Sequence, residues 1–262
     1  MTIREQRSPV TAPLCPVRSV EALRFSVSCH PPLRAEQGIL VADAVHHRIA
    51  SALIRNSAGT DEHLVLGHRG AATDHRHAHW VPLADPVDVV TGLLIWVPSR
   101  LTAADSATVL AEVAQPVTAD TVPGGIDSGL PEIRLLPQAA GPVGMVAAEL
   151  CGPATVWQTT RPYLPVRHRK SRHSIAAFLT DDITRACAHR GLPAPVEVTR
   201  LHPGDGLLDD WAAGFRRYRL REVPGQQRVG LGLRLTFPRP VTGPLFLGRL
   251  SHFGFGMFLP AG

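Results

Sequence analysis

The first two hydrophobic segments of the chain have the patterns of a strand and a helix. Apolar and polar residues alternate along EALRFSVSC at 21–29, as in a β-strand with one buried face. In the segment that follows HPPL, apolar side chains recur every four residues. These residues are Val41, Val45, Ile49 and Leu53. This spacing places them on one side of an amphipathic helix.

Four further segments complete a first structural unit. Strand-like patterns occur around 62–83 and 87–97, and a second helix is predicted over 102–115 with Thr102 as its N-cap. A loop rich in proline and glycine then leads to the strand-like EIRLLPQ at 132–138. The resulting order, β-α-β-β-α-β, is that of the ferredoxin-like fold.

The order of elements partly repeats in the second half, although the sequence itself does not. Residues 154–165 have an extended pattern, and 174–191 form a helix that Gly191 ends. The remaining strand-like segments are PVEVTRLH at 195–202, FRRYRLREV at 215–223, VGLGLRLTFP at 229–238 and the C-terminal stretch 243–260. We therefore predict an α+β protein with two ferredoxin-like (RRM-like) domains in tandem.

The chain length agrees with two domains. We expect a flexible N-terminal tail at 1–20, one domain at 21–145 and a second at 153–262. The longest strongly apolar run, GLLIWV at 92–97, is far shorter than the roughly 20 residues that cross a bilayer. The N-terminus has no apolar core of the signal-peptide type. These patterns predict a cytoplasmic protein without a membrane partner.

Charge and cysteine content narrow the function classes only slightly. The formal net charge is +5, which is compatible with a polyanionic partner such as nucleic acid. The four cysteines form no CxxC pair, so neither a disulfide framework nor a zinc knuckle is expected. We predict no cofactor and no metal.

The stretch TDHRHAHWVPL at 73–83 places three histidines at alternate positions. His75, His77 and His79 would project from one face if the segment is a strand, whereas Arg76 would point to the other face. Three interpretations stay open. Two of the imidazoles could bind zinc, all three could be surface residues, or histidine could transfer protons, since its unperturbed pKa lies near neutrality.

A second candidate is the basic stretch before the helix at 174–191. Six of the seven residues from Arg167 to His173 are Arg, Lys or His. Cations oppose the dipole of a helix N-terminus, so an anion such as RNA phosphate would relieve this arrangement. The alternative is a solvated basic loop. The candidate RNA-binding residues here are Arg167, His168, Arg169, Lys170 and Arg172.

The third candidate is the glycine-rich C-terminal stretch LGRLSHFGFGMFLP at 247–260. Glycines allow backbone amides to approach a phosphate, and a phenylalanine could stack on a base. The alternative is that the glycines only permit close packing. The candidate RNA-binding residues are Gly248, Arg249, His252, Gly254 and Gly256.

With these segments together, the sequence resembles the RAMP superfamily of CRISPR proteins. More narrowly, HRHAHWVPL (75–83), TTRPYLPVRHRK (159–170) and GPLFLGRLSHFGFGMF (243–258) resemble the repeat-processing part of the fused RAMP protein of type I-U (I-G) CRISPR systems. The similarity extends over most of residues 20 to 260. In the fused family a backbone-binding RAMP partner precedes this region. Either the two parts are separate proteins in this system, or the chain is a piece of a fusion.

The resemblance implies two ferredoxin-like domains and metal-independent cleavage of CRISPR repeat RNA to mature crRNA. In such enzymes the ribose 2′-hydroxyl attacks the adjacent phosphate with the help of histidine, leaving a 2′,3′-cyclic phosphate. The positions that match are His75, Arg76, His77 and Ala78. This makes His77 and His75 the expected catalytic residues and Arg76 an RNA-binding residue. His252 is the second choice for catalysis, and His79 is a weaker candidate.

Two other classes of function are compatible with the sequence. One is a non-catalytic crRNA-binding RAMP subunit, in which the histidines only bind phosphate. The other is a zinc hydrolase that uses the His-x-His pair. The implied partners are repeat RNA or crRNA and other subunits of a type I effector complex.

Overall fold

A computed structural model describes residues 19–56, 77–118, 130–202, 204–220, 222 and 229–262. Residues 1–18 of the predicted N-terminal tail, most of the predicted strand at 62–83, and the candidate residues His75 and Arg76 therefore lie outside the described residues. The last two residues of the predicted tail, 19 and 20, belong instead to the first strand.

The first half folds into one antiparallel sheet with two helices. Its elements are β1 (Ser19–Cys29), α1 (Gly38–Asn56), β2 (His79–Ala84), β3 (Val90–Thr102), α2 (Ala103–Val113) and β4 (Ile133–Gly141). The strands lie in the order β2-β3-β1-β4, and each neighbouring pair is antiparallel. This is the β-α-β-β-α-β topology that the hydrophobic pattern predicts.

Local sequence accounts for these elements. Leu23, Phe25 and Val27 alternate along β1 and are all buried in the main core, against the apolar face of α1. The Thr102 hydroxyl accepts a hydrogen bond from the Asp105 amide at 3.1 Å, and the Asp105 carboxylate accepts one from the Thr102 amide at 3.3 Å. This reciprocal capping starts α2 at the predicted position.

The second half forms a five-stranded sheet. A short helix α3 (Val143–Val146) leads into β5 (Ala154–Thr159) and α4 (Ile175–Ala188). The following elements are β6 (Glu197–Arg200), α5 (Asp210–Ala213), β7 (Leu233–Val241), β8 (Leu245–Phe246) and β9 (Met257–Pro260). Their order in the sheet is β6-β7-β5-β9-β8. The first four strands in this order match the ferredoxin-like arrangement, with β8 and the glycine-rich stretch in place of its second helix.

One predicted strand is wrong. Residues 215–220 and 222, the described part of the strand expected at 215–223, have no regular structure. Their backbone pairs with the first half instead: the Arg216 amide donates to the Glu36 carbonyl at 2.9 Å, and the Leu220 amide donates to the Asp43 carboxylate at 2.8 Å. Because Arg219 also donates to Asp43, side-chain pairing across the two halves outweighs strand propensity here.

The two halves share buried contacts, which fix the position of one sheet against the other. Val81 and Leu94 of the first sheet pack in one cluster with Phe246 and Met257 of the second. Arg161, which follows β5, is buried, and its guanidinium donates to two carbonyls of the first half, of Ala35 at 2.5 Å and Pro82 at 3.3 Å. Burial lowers the pKa of Arg161 to about 10, so it stays cationic at neutral pH.

No helix in the described ranges is long and apolar enough to span a lipid bilayer.

Glycine at position 256 is dictated by packing. Gly256 has a φ of +53°, and a Cβ at this position would overlap the carbonyl oxygen of Leu247 on the neighbouring β8 side of the hairpin. Gly144 provides a contrast, because nothing lies within 4 Å of the Cβ it would carry.

We expect Gly256→Ala to lower the free energy of unfolding by about 3 kcal/mol or more, since both backbone strain and backbone overlap must be relieved. Urea denaturation followed by circular dichroism would measure this. Gly144→Ala, the matched control, should change the free energy of unfolding by less than about 0.5 kcal/mol. Equal stability of the two variants would contradict the packing explanation.

Candidate functional site

Three histidines meet where β2 begins, and they come from both halves of the chain. The rings of His77 and His252 stack with centroids 3.5 Å apart and an interplanar angle of 24°. The His79 ring lies on His252 as well, with centroids 4.2 Å apart. Residues far apart in sequence thus form a continuous group of imidazoles, which we call the histidine stack (His77, His79 and His252).

The glycine-rich stretch brings His252 to this position. His252 lies in a 3₁₀ turn, Ser251–Phe253, that follows Leu250 and precedes Gly254, both with positive φ. A Cβ on Gly254 would come within 2.8 Å of the Pro82 side chain on β2. Glycine at 254 therefore allows the turn to lie directly against β2.

His79 is the buried member of the stack. It is 2% exposed and lies beside the rings of Trp96 and Phe246, at centroid distances of 4.8 Å and 5.2 Å. Its Nδ1 lies 3.2 Å from the Ser251 carbonyl, and because a carbonyl only accepts, this contact requires the proton on Nδ1. His79 therefore anchors the turn that carries His252, while His77 and His252 are half-buried and reach the surface.

The alternating histidines do not all lie on a strand. Only His79 belongs to β2, and His77 lies in the bend before it, so the expected row of imidazoles on one strand face is not formed by these two residues. Both nevertheless reach the same partner, His252. His75 and Arg76 lie outside the described residues, and their roles stay predictions.

Backbone amides of the glycine-rich stretch are largely engaged within the protein. The Gly254 amide donates to the Ser251 carbonyl at 3.3 Å, and the Gly256 amide donates to the Pro162 carbonyl at 2.8 Å. A Cβ on Gly248 would come within 2.5 Å of the Leu164 carbonyl oxygen. Close packing therefore explains these three glycines, and their contact with RNA stays a prediction. The Arg249 residue beside them is exposed.

The basic stretch lies beside α4, and its first arginine is held by that helix. The Arg167 guanidinium donates to Asp181 at 2.8 Å and to Asp182 at 2.9 Å. Hydrogen bonds from Arg167 and Arg185 lower the pKa of the exposed Asp181 carboxyl. Arg167 is therefore less available to an external phosphate than the rest of the stretch.

The other basic residues make few internal contacts. Arg169 donates to the His173 carbonyl at 2.7 Å, and Arg172 lies 3.3 Å from the His173 ring. His168 and Lys170 are exposed. The basic stretch precedes the N-terminus of α4, whereas Arg190, just beyond the C-terminal end of the helix, donates at 3.3 Å to the Ser251 hydroxyl, next to His252. Since α4 has 14 residues, it is about 21 Å long.

A second histidine cluster, on α1, escaped sequence reasoning. The buried Asp43 carboxylate lies 3.6 Å from His47 and 2.8 Å from the Arg219 guanidinium. Arg219 also approaches Nδ1 of His46 at 3.4 Å. His46 packs edge-on against Phe253, next to His252. In the sequence, only the adjacent histidines at 46 and 47 could have indicated this cluster. The helical pattern of the segment does not show that they meet Asp43 and Arg219.

Among the described residues, Asp43, His46 and His47 form the one group whose ligand atoms converge as a metal site would require, lying within 4.8 Å of one another. Arg219 competes with a cation for Asp43, and the Leu220 amide donates to the other carboxylate oxygen at 2.8 Å. A metal would have to displace these donors. The cluster therefore fits an internal ion-pair network better than a metal centre.

Comparisons with known proteins give matches among solved structures. No protein-family model matches the chain, and no curated protein matches it. One similar structure is Csf5, a CRISPR-Cas type IV Cas6 crRNA endonuclease, at 11% identity, with 93% of this chain and 100% of that chain covered and a TM-score of 0.40. Another is a Cas6 product complex, at 12% identity, with 94% and 100% covered and a TM-score of 0.41. A third is a Cas6-related protein from Pyrococcus furiosus, at 9% identity, with 91% and 97% covered and a TM-score of 0.35.

Proposed function

We propose that this protein is an endoribonuclease that cleaves CRISPR repeat RNA to mature crRNA without a metal ion. The observation that carries the proposal is the stacked pair of His77 and His252 at the surface where the two halves meet. The choice of CRISPR repeat RNA as substrate rests on the sequence resemblance of HRHAHWVPL, TTRPYLPVRHRK and the glycine-rich stretch.

The pair has the chemistry that RNA self-cleavage needs. One neutral imidazole accepts the proton of the ribose 2′-hydroxyl, and one protonated imidazole donates a proton to the departing 5′-oxygen. Two positively charged rings with centroids 3.5 Å apart would repel each other, so a proton on one ring disfavours a second proton on the other. Acid–base catalysis would use the singly protonated pair, in which one histidine is the base and the other the acid.

The reaction is a transesterification. The 2′-oxygen forms a bond to phosphorus while the bond from phosphorus to the 5′-oxygen breaks, which leaves a 2′,3′-cyclic phosphate and a 5′-hydroxyl. No water or metal enters this step. The extra negative charge on the phosphorane favours nearby cations, and the exposed Arg249 is the described arginine closest in sequence to His252.

RNA backbone binding is assigned to the basic stretch. The exposed basic residues precede the N-terminus of α4, and the histidine stack lies near its C-terminal end, so an RNA bound at both places would run along that helix. These residues are His168, Arg169, Lys170 and Arg172. Arg167 holds the stretch against α4 through its ion pairs with Asp181 and Asp182. The other basic residues supply the positive charge that would bind RNA phosphates.

Metal dependence separates the three classes of function. We expect purified protein to cleave synthetic repeat RNA at an unchanged rate in excess EDTA. The readout is a gel assay of single-turnover cleavage, with zinc content measured in parallel. Binding without cleavage at any pH would identify a non-catalytic RNA-binding subunit. Loss of cleavage in EDTA with recovery on zinc addition would identify a zinc hydrolase. Either result would overturn the proposal.

A further inference from the structure

A cavity of about 470 Å³ opens beside the histidine stack, in the size range of about 300–1,000 Å³ that is usual for ligand sites. It lies between the two halves of the chain. Its lining contains the rings of His79, Trp96 and Phe246. The other lining residues are Pro98, residues 189–192 at the C-terminal end of α4, and residues 242–244.

Three of the lining side chains form a group of neighbouring aromatic rings. His79, Trp96 and Phe246 have mutual centroid distances of 4.8, 5.2 and 6.0 Å and interplanar angles between 32° and 36°. Trp96 is half-buried, so part of its indole is accessible from the cavity. The His79 ring also contacts His252, so the cavity lies next to the proposed catalytic pair. A flat group bound here would extend an existing stack.

The cavity lining also contains an arginine, Arg190, that pairs with no carboxylate among the described residues. Arg190 is half-buried, and among the described residues no carboxylate lies within ion-pair distance of it. Its Nη1 donates to the Ala186 carbonyl and its Nη2 donates to the Ser251 hydroxyl, both at 3.3 Å. Each terminal nitrogen has two N–H groups, so each keeps one donor beyond these bonds.

The position of Arg190 selects the kind of ligand. It follows the C-terminal end of α4, where the helix dipole is negative and the last carbonyls favour a cation but disfavour an anion. A phosphate would meet this negative end, whereas a neutral base with acceptor atoms would not. A cavity lined by aromatic rings and by a guanidinium with two spare donors matches guanine, whose O6 and N7 accept from one guanidinium.

We infer that this cavity binds one unpaired nucleobase of the RNA, with guanine favoured, at or next to the scissile phosphate. The inference rests on the proposed function for the identity of the RNA. It adds a base-recognition subsite, in which Trp96 stacks on the base and Arg190 donates to its acceptor edge. Stacking on one aromatic side chain corresponds to roughly 5- to 150-fold in affinity.

The test uses repeat RNA that carries a 2′-deoxy nucleotide at the cleavage site, so that affinity is measured without cleavage. A single abasic nucleotide is placed in turn at each of the positions flanking that site. We expect one position at which the abasic substitution weakens binding to the wild type by at least 5-fold. The same substitution should change the affinity of Trp96→Leu by less than 2-fold, because that variant has already lost the stacking partner.

Arg190→Gln tests the acceptor edge. At the sensitive position the wild type should bind guanine at least 5-fold more tightly than adenine, and Arg190→Gln should lose this preference. Arg185→Gln is the matched control, since Arg185 lies on the same helix, is exposed and pairs with Asp181. Equal affinity for guanine and adenine in the wild type would overturn the role of Arg190.

The experiment distinguishes an error in the base-binding hypothesis from an error in the proposed nuclease function. If no position shows an abasic loss that Trp96→Leu abolishes, the subsite is wrong, even if repeat RNA is cleaved. If the coupled loss is found with RNA that the protein never cleaves, the subsite stands and the nuclease proposal falls. His77→Ala should show the same abasic loss as the wild type, because His77 does not line the cavity.

Discussion

Replacing His77 with alanine should slow single-turnover cleavage of repeat RNA by about 10²- to 10⁴-fold, the usual contribution of one general acid or base. The affinity for RNA should change by less than about 3-fold, because a single neutral side chain contributes little to phosphate binding. The measurement is the cleavage rate at saturating protein, with affinity determined separately on uncleavable 2′-deoxy RNA.

His252→Ala should have an effect of similar size, and the double variant should be little slower than either single one, since the two rings act as one unit. The wild type should have a bell-shaped pH–rate profile, and each single variant should lose one limb of it. His30→Ala, at an exposed position, is the control and should cleave at the wild-type rate. If His77→Ala cleaves repeat RNA at the wild-type rate, His77 is not a catalytic residue.

Neutralising Arg169, Lys170 and Arg172 together with glutamine should weaken RNA binding strongly but leave the rate at saturating RNA almost unchanged. Each phosphate contact on a single strand contributes about 0.7 to the slope of log affinity against log salt, so three contacts correspond to a slope change of about 2. At 0.1 M salt this amounts to an affinity loss on the order of 100-fold.

The matched control removes the same charge elsewhere. Arg134, Arg185 and Arg239 are exposed arginines outside the basic stretch, and their triple glutamine variant should change the slope by less than about 0.5. Arg167 is left intact in both variants because it orders the stretch through Asp181 and Asp182. An unchanged slope in the basic-stretch variant would identify a solvated loop.

Local hydrophobic patterns were sufficient to predict most of the fold. The strand at 21–29, the helix with its apolar face on Val45 and Ile49, and the helix capped by Thr102 all depend on spacing within one segment, and all three occur in the structure. The failed strand at 215–223 depends on distant partners. Its described residues pair with Glu36 and Asp43, which no pattern within the segment could indicate.

The candidate site was predictable only in part for the same reason. The sequence singled out His77 and His252 separately, in two motifs, but their stacking requires the turn at Ser251–Phe253 to lie against β2. The cavity beside Trp96 and Arg190 has no sequence signal, because its walls come from four separate segments. Tertiary packing, rather than any local motif, creates both features.

The central claim is that the 2′-hydroxyl of the substrate is the nucleophile and that the histidine pair transfers its proton. The most direct test is a single 2′-deoxy substitution at the nucleotide on the 5′ side of the cleaved bond, with EDTA present. We predict that this substitution abolishes cleavage, while the all-ribose repeat is cleaved to a 2′,3′-cyclic phosphate and a 5′-hydroxyl. Cleavage of the 2′-deoxy RNA, or a linear phosphate as the first product, would mean that water is the nucleophile and would contradict the account.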